Sequence, residues 1–416
     1  MTIHKKTSSK CLDIYLCAEG WQLKLKANEM PLLSHSATAR FWGRTGTVHN
    51  ALNLHLAGRE KSDKEMGYEN TLSASRTPCM NLEFRGALCL DDPLYAYVRA
   101  HIEPQLGFVG KSSGYRVYQF SHASSVYLYE EKRRQARFIG KFFKTPLSHV
   151  SPDALNPAEN EYRNLVFLRS LGFDHPPHYV VRPLGCAPDI NNFLALEYLP
   201  AESLDSIILA AIYQGGRQRL FRKLSALAHF LATLHNRTAR YETVNFDAVL
   251  VYLERVLRTH RAKRDMSEAT AWMFSALGQR WRNRACMWED RSVLVHGDAT
   301  PPNFLFGSGK NVMAIDLERM QWADRLFDVG RLCGELKHFF LRASNDKNAA
   351  EPFIGHFLWE YAHHFPDHER TFAAITQRVP FYLGLTLLRI ARNRWVDNSY
   401  RTRLLSTAKT ILEASP

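Results

Sequence analysis

The sequence predicts an α+β fold of two lobes, a small β-rich lobe ahead of a larger helical one, with an N-terminal extension before both. Three observations support this. Between residues 115 and 143, three β-prone runs follow one another across short polar turns. Beyond Pro200 the chain turns to long segments with apolar residues at helical spacing. A length of 416 residues corresponds to two or three domains. The expected division is 1–95 for the extension, 96–199 for the β-rich lobe and 200–416 for the helical lobe.

In the extension, the alternating pieces 12–15 and 21–25 read as strands and the polar stretch 59–76 as a loop. Runs 115–120, 126–130 and 138–143 read as an antiparallel meander, the first two joined by Ser121-His122-Ala123-Ser124-Ser125. A helix over 156–168 follows, with Pro157 in its first turn, acids near its start and apolar residues at 162, 165 and 168; it stops at Gly172. Strands are expected at 179–181 and 193–198. Segment 218–234 carries apolar residues at 220, 221, 224, 227, 228, 231 and 234, one helical face. Segments 252–259, 353–364 and 381–392 read the same way. A cleft between two such lobes is the expected ligand site.

Composition narrows the function. With 45% hydrophobic and 23% charged residues, the chain is an ordinary globular one, not collagen-like, low-complexity or wholly disordered. Its seven cysteines are scattered without a C-x-x-C pair, which argues against a disulfide framework or structural zinc and fits a reducing cytoplasm. The basic start lacks a following apolar run, so no secretory signal is expected. No apolar run approaches the length of a membrane span. A net charge of +13 favours an anionic partner: a nucleotide, a phosphosugar, nucleic acid or an acidic lipid surface.

The chemistry concentrates in Val293-Leu294-Val295-His296-Gly297-Asp298-Ala299-Thr300-Pro301-Pro302-Asn303 and Val312-Met313-Ala314-Ile315-Asp316-Leu317-Glu318. One apolar strand delivers a loop holding Asp298 and Asn303; a second delivers Asp316. Such a loop can aim one carboxylate at a substrate hydroxyl and set an amide and a second carboxylate around magnesium, which favours hard oxygen ligands. Phosphoryl transfer needs that set, together with a cation on the nucleotide phosphates.

His296-Gly297-Asp298-x4-Asn303 with Ile315-Asp316-Leu317-Glu318 resembles the paired motif of the aminoglycoside phosphotransferase and choline kinase family, within the protein-kinase-like fold. The resemblance covers roughly residues 105–400. It implies an ATP- and Mg2+-dependent phosphotransferase, with Asp298 as catalytic base and Asn303 and Asp316 as metal ligands. By position, Ser121, Ser124 and Ser125 would line the nucleotide-phosphate loop, which here lacks glycine. Lys141 would reach the α/β-phosphates, with Lys144 its competitor on the other face of the strand. Glu161 would hold that lysine, with Glu159 its rival. Leu196-Glu197-Tyr198-Leu199 would be the adenine hinge, acting through its backbone. Asp328 and His296 would brace the catalytic loop. Gly297 replaces the arginine of phospho-switched protein kinases, which argues against that regulation. Glu318 reads equally as a third carboxylate at the metal or as a salt-bridge partner of Arg319 or Arg325.

Other features carry plainer readings. Gly110-Lys111-Ser112 lacks the upstream glycine of a P-loop, because position 105 is Gln105. His356, His363, His364 and His368 lack metal-ligand spacing. The basic runs 255–264 and 389–403 read as solvated helix faces, or else as a positive rim beside the cleft. His235 reads as core support. The expected function is phosphoryl transfer to a hydroxyl of a small molecule that is anionic or a carbohydrate: a sugar, glycan or phosphosugar. The alternatives are a non-catalytic nucleotide-binding scaffold and, less favoured, a nucleic-acid-binding protein. The acceptor, the nucleotide preference, the oligomeric state and the role of residues 1–95 are not legible.

Overall fold

The computed structural model describes residues 12–17, 20–25, 82–107, 113–121, 125–144, 156–344 and 346–414. Strands β1 (Leu12–Cys17) and β2 (Gly20–Leu25) form an antiparallel hairpin. The stretch 59–76, the triplet Gly110-Lys111-Ser112 and Ser124 lie outside the described residues.

Strand β3 (Leu82–Ala87) falls within the segment expected as an extension, yet it pairs with the meander as the edge of a sheet. Helix α1 (Pro93–Tyr97), capped by Asp92, then packs on that sheet. The meander is β4 (Tyr115–Phe120), β5 (Val126–Glu131) and β6 (Arg137–Phe142). Helix α2 (Pro157–Ser170) starts where the Asn156 side chain accepts from the Ala158 N–H at 2.9 Å. The short strands β7 (Asp174–His175) and β8 (His178–Val180) precede β9 (Pro183–Ala187) and β10 (Phe193–Glu197). The first sheet runs β3-β4-β5-β6-β10-β9.

The pleat of β6 decides where its lysine points. Phe138 and Gly140 face the apolar side, where Phe138 stacks on Tyr129 with ring centroids 4.7 Å apart. Only glycine fits at position 140, since a Cβ there would lie 2.6 Å from the Tyr129 ring. Alternation then sends Ile139 and Lys141 to the opposite face, toward α2.

The helical part begins after β11 (Glu202–Ser203) with α3 (Leu204–Tyr213), α4 (Arg217–Arg237), α5 (Phe246–Lys263) and α6 (Glu268–Arg282). Strands β12 (Ser292–Val295), β13 (Phe304–Phe306), β14 (Val312–Ala314) and β15 (Gln321–Asp324) carry the two motif loops. Helices α7 (Leu326–Ala343), α8 (Glu351–Ala362), α9 (His368–Ala391) and α10 (Asn398–Glu413) complete it. The second sheet, β11-β13-β14-β8-β7, joins the lobes, because β8 runs parallel to β14.

Helix α9 begins well before the expected position 381. Pro380, a residue that breaks helices on average, lies buried inside the helix, and Asp367 caps the true start by accepting from the Arg370 N–H at 3.0 Å. The helical core holds Trp281, Phe246, Phe353 and Phe357 fully buried. Burial of each such side chain contributes about 1.5–3 kcal/mol. No described helix is long and apolar enough to cross a membrane.

Candidate active site

The loop between β12 and β13 is built around the buried Asp328 at the start of α7. One carboxylate oxygen accepts from the His296 N–H at 2.6 Å and the other from the Gly297 N–H at 3.0 Å. His235, on α4, lies 3.4 Å from the same aspartate and 2.8 Å from the Tyr361 hydroxyl. His296 ties the two motif loops together: its Nε2 donates to the Ile315 carbonyl at 3.0 Å, while its Nδ1 accepts from the Asp298 N–H at 3.3 Å. Gly297 has φ +80°, and a Cβ there would lie 1.9 Å from the Arg319 carbonyl oxygen. Backbone crowding thus demands glycine at this position.

Asp298 is held by arginines. Arg331 of α7 donates to its carboxylate at 2.7 Å and Arg389 of α9 at 2.9 Å, and Arg319 lies 3.4 Å away. Burial alone would raise its pKa, but Arg389, Arg331 and Arg319 hold the carboxyl below its ordinary value. Asn303 folds back so that its side-chain amide donates to the Asp298 backbone carbonyl at 2.9 Å, and its backbone carbonyl accepts from the Ile315 N–H at 3.0 Å.

Asp316 adopts φ +64°, a left-handed conformation that is costly for a non-glycine residue. Its carboxylate accepts from Lys141, whose ammonium also lies 2.5 Å from Glu161 and 3.4 Å from Glu318. Burial would lower the lysine pKa, but the three carboxylates hold it above its ordinary value. Burial pushes Glu161 upward against the pull of Lys141. Glu318 also lies 3.5 Å from Arg319, so both readings of it have a partner here, whereas Arg325 pairs with Asp290. Lys144 lies past the end of β6 and is exposed. Glu159 is not on the lysine; Glu161 is.

Glu197 uses its side chain as well as its backbone. Its carboxylate accepts from the Tyr179 hydroxyl and from the Arg182 N–H, both at 2.5 Å. Its N–H donates to the Arg182 carbonyl at 3.0 Å, so that donor is already engaged within the strands. Leu199 accepts from the Ala201 N–H at 2.9 Å. Ser121 is exposed, and the Ser125 carbonyl accepts from the Phe142 N–H at 2.9 Å.

Several residues here went unread in sequence. Asn160 and Asn164 of α2 donate to the carbonyls of Glu318 and Leu317 at 3.2 and 2.8 Å, fastening the Asp316 loop to the helix that carries Glu161. The only signal was their placement one turn apart and next to that glutamate. Arg331 follows Asp328 by three residues, one turn further along α7. Arg389 belongs to the run 389–403, whose expected solvated face needs correction. Arg389 is mostly buried against Asp298, and Arg401 donates to the Ala391 carbonyl at 3.0 Å. The plainer reading holds for much of 255–264, which is exposed along Arg255, Arg258 and Lys263.

Among the described residues, Glu161, Asp316 and Glu318 form the one group of acidic, His or Cys side chains able to hold a metal ion, with oxygens within 4.8 Å of one another. One oxygen of Glu161 is buried without a hydrogen-bond partner. Three carboxylates against one ammonium leave a surplus of negative charge, and hard oxygen donors suit a divalent cation such as magnesium.

The sequence matches the profile of the phosphotransferase enzyme family over residues 118–368. No curated protein matches it in sequence. Among solved structures, choline kinase from Cryptosporidium parvum superposes with a TM-score of 0.52 at 11% identity, covering 77% of this chain and 93% of its own. That likeness shows a shared kinase-like fold. The aminoglycoside phosphotransferase APH(2")-IIa, in a ternary complex with streptomycin and ATP, gives 0.48 at 13% identity over 78% of this chain and 99% of its own. The amicoumacin kinase hAmiN gives 0.48 at 17% identity over 78% and 94%. With a match across more than half of its length, the chain belongs to the phosphotransferase enzyme family.

Proposed function

We propose that the protein transfers the γ-phosphoryl group of ATP, with magnesium, to a hydroxyl of a small molecule, and that the acceptor is a sugar, glycan or phosphosugar. The observation that carries this is the convergence of Lys141, Glu161 and Asp316 in one cluster, joined through His296 and Asn303 to the loop holding Asp298.

Each residue then has a physical task. Lys141, fixed by Glu161, presents its ammonium to the nucleotide phosphates. Asp298 orients the acceptor hydroxyl and takes its proton, which contributes about 10²–10⁴-fold. Its depressed pKa keeps it ionised at neutral pH. Asp316 and Asn303 would hold magnesium, with Glu318 beside them. Bound there, the ion supplies neutralisation of charge on the transferring phosphoryl group. Asp328, His296 and Gly297 keep the loop in place, which matters because positioning supplies much of the catalysis in phosphoryl transfer. Backbone groups around 196–199 and 121–125 would hold the adenine and phosphates. We place the lobes at 96–199 and 200–416, with the preceding segment adding β3 and the start of α1 to the β-rich lobe.

The carbohydrate preference rests on the basic balance and on the 17 Tyr, 24 Phe and 8 Trp of the sequence. Tyr252 and Phe327 flank Arg331, which itself donates to Asp298, so aromatic side chains stand close to the proposed base. The scattered thiols fit a cytoplasmic setting. Screening hydroxyl acceptors with γ-labelled ATP tests the reading. Label on a carbohydrate hydroxyl supports it; label on cationic amino compounds alone overturns the acceptor class.

A further inference from the structure

The site is polarised in charge. Around Lys141 three carboxylates surround one ammonium. Around Asp298 the imbalance reverses. Arg319, Arg331 and Arg389 all reach its carboxylate, and Arg389 also lies 3.3 Å from Glu335. Arg392 follows Arg389 by one helical turn at the end of α9; burial, and after it the positive charge of Arg389, Arg319 and Arg331, lowers its pKa. Among the described residues no carboxylate pairs with its guanidinium. Three guanidinium groups therefore face Asp298 and Glu335, with Arg392 one turn further along α9 and Glu318 shared between Arg319 and Lys141. The buried Nε atoms of Arg331 and Arg389 lack hydrogen-bond partners. Arg319, half-exposed, and Arg392, half-buried, remain within reach of solvent.

Clustering like charges in a partly buried place is costly unless an anion shares it. A polycationic acceptor would be repelled here. We propose that this arginine cluster is the subsite for an anionic group, phosphate or carboxylate, carried by the acceptor whose hydroxyl meets Asp298. Arg392 and Arg319 grip that group, while Arg331 and Arg389 hold Asp298 in line with the hydroxyl. The assignment rests on the phosphotransfer reading above and deepens it by fixing the charge of the acceptor.

The test is equilibrium binding to the full-length protein without nucleotide, at low and high ionic strength. The probes are inorganic phosphate, glucose 6-phosphate, gluconate, glucose and glucosamine. Anionic probes should bind, more weakly as salt rises, while glucose and glucosamine do not. The tighter of glucose 6-phosphate and gluconate names the anionic group. Arg392→Gln should weaken anion binding by about tenfold or more, and Arg392→Lys should retain part of it. Thermal unfolding of both variants confirms that they are folded. Absence of anion binding, anion binding indifferent to Arg392→Gln, or preference for glucosamine would overturn the assignment. ATP turnover measured on the same sample separates the two readings: turnover without anion binding leaves the phosphotransfer reading standing and removes only the subsite.

Discussion

Replacing Gly297 by alanine puts one methyl group where the backbone has no room. The added Cβ would lie 1.9 Å from the Arg319 carbonyl oxygen. An ordinary contact is about 3.4 Å, so the two loops must part by roughly 1.5 Å. The left-handed backbone at this position adds strain, and the overpacking should cost about 1–3 kcal/mol of stability. Asp298 is the next residue and must move with the loop. A misplacement of about 1 Å at a reacting group can cost roughly 100-fold in rate, so turnover should fall by about that factor or more. Phosphate release from ATP in magnesium measures it, alongside an unfolding curve to show that the variant remains folded. A folded Gly297→Ala protein with turnover within about threefold of the parent would refute the claim that this crowded contact positions Asp298.

Three further outcomes follow from the same contacts. Burial raises the Glu335 carboxyl to about 7 against the pull of Arg389 and Arg331. The unfolded chain therefore releases this proton first as pH rises, and native stability should fall between about pH 4.5 and 7 by up to about 3 kcal/mol. Glu335→Gln should flatten that slope in denaturant titrations across pH; an unchanged slope would contradict the assignment. Lys141→Met leaves three carboxylates without their ammonium and should cost about 3–5 kcal/mol in magnesium-free buffer. Added magnesium should then raise the unfolding midpoint of the variant more than that of the parent, and an equal or smaller rise would argue against a cation site there. Asn164→Ala removes one hydrogen bond to the Asp316 loop and should cost about 1 kcal/mol.

The site was legible in sequence where it is local. Asp298, Asn303 and Asp316 share one strand–loop–strand unit, so their spacing constrains their approach directly. The β6 lysine and the α2 glutamate could be located by strand alternation and helical spacing, although sequence alone left Lys144 and Glu159 as rivals. The pleat of β6, fixed by Gly140 against Tyr129, turns Lys141 toward α2, and of the two acids on that helix it is Glu161 that meets it. Arg389 was not legible, because it lies 91 residues from Asp298 and its run looks like any basic amphipathic face. Its burial depends on how α9 packs on α7, which periodicity does not encode. The start of α9 was misplaced for a related reason: Pro380 breaks helices on average, but tertiary packing around a buried helix overrides that local cost. Strand β3 was missed because nothing in its own short sequence shows that β4 offers it an edge.

The central claim is that Asp298 acts on an acceptor while Lys141 and Asp316 handle a metal-bound triphosphate. Comparing parent and Asp298→Asn for both nucleotide binding and phosphoryl transfer from γ-labelled ATP tests it most directly. The account predicts similar ATP binding in the two proteins and turnover lower in the variant by about 10²–10⁴-fold. Equal turnover in both, or a parent protein that binds ATP with magnesium and never transfers label, would contradict it.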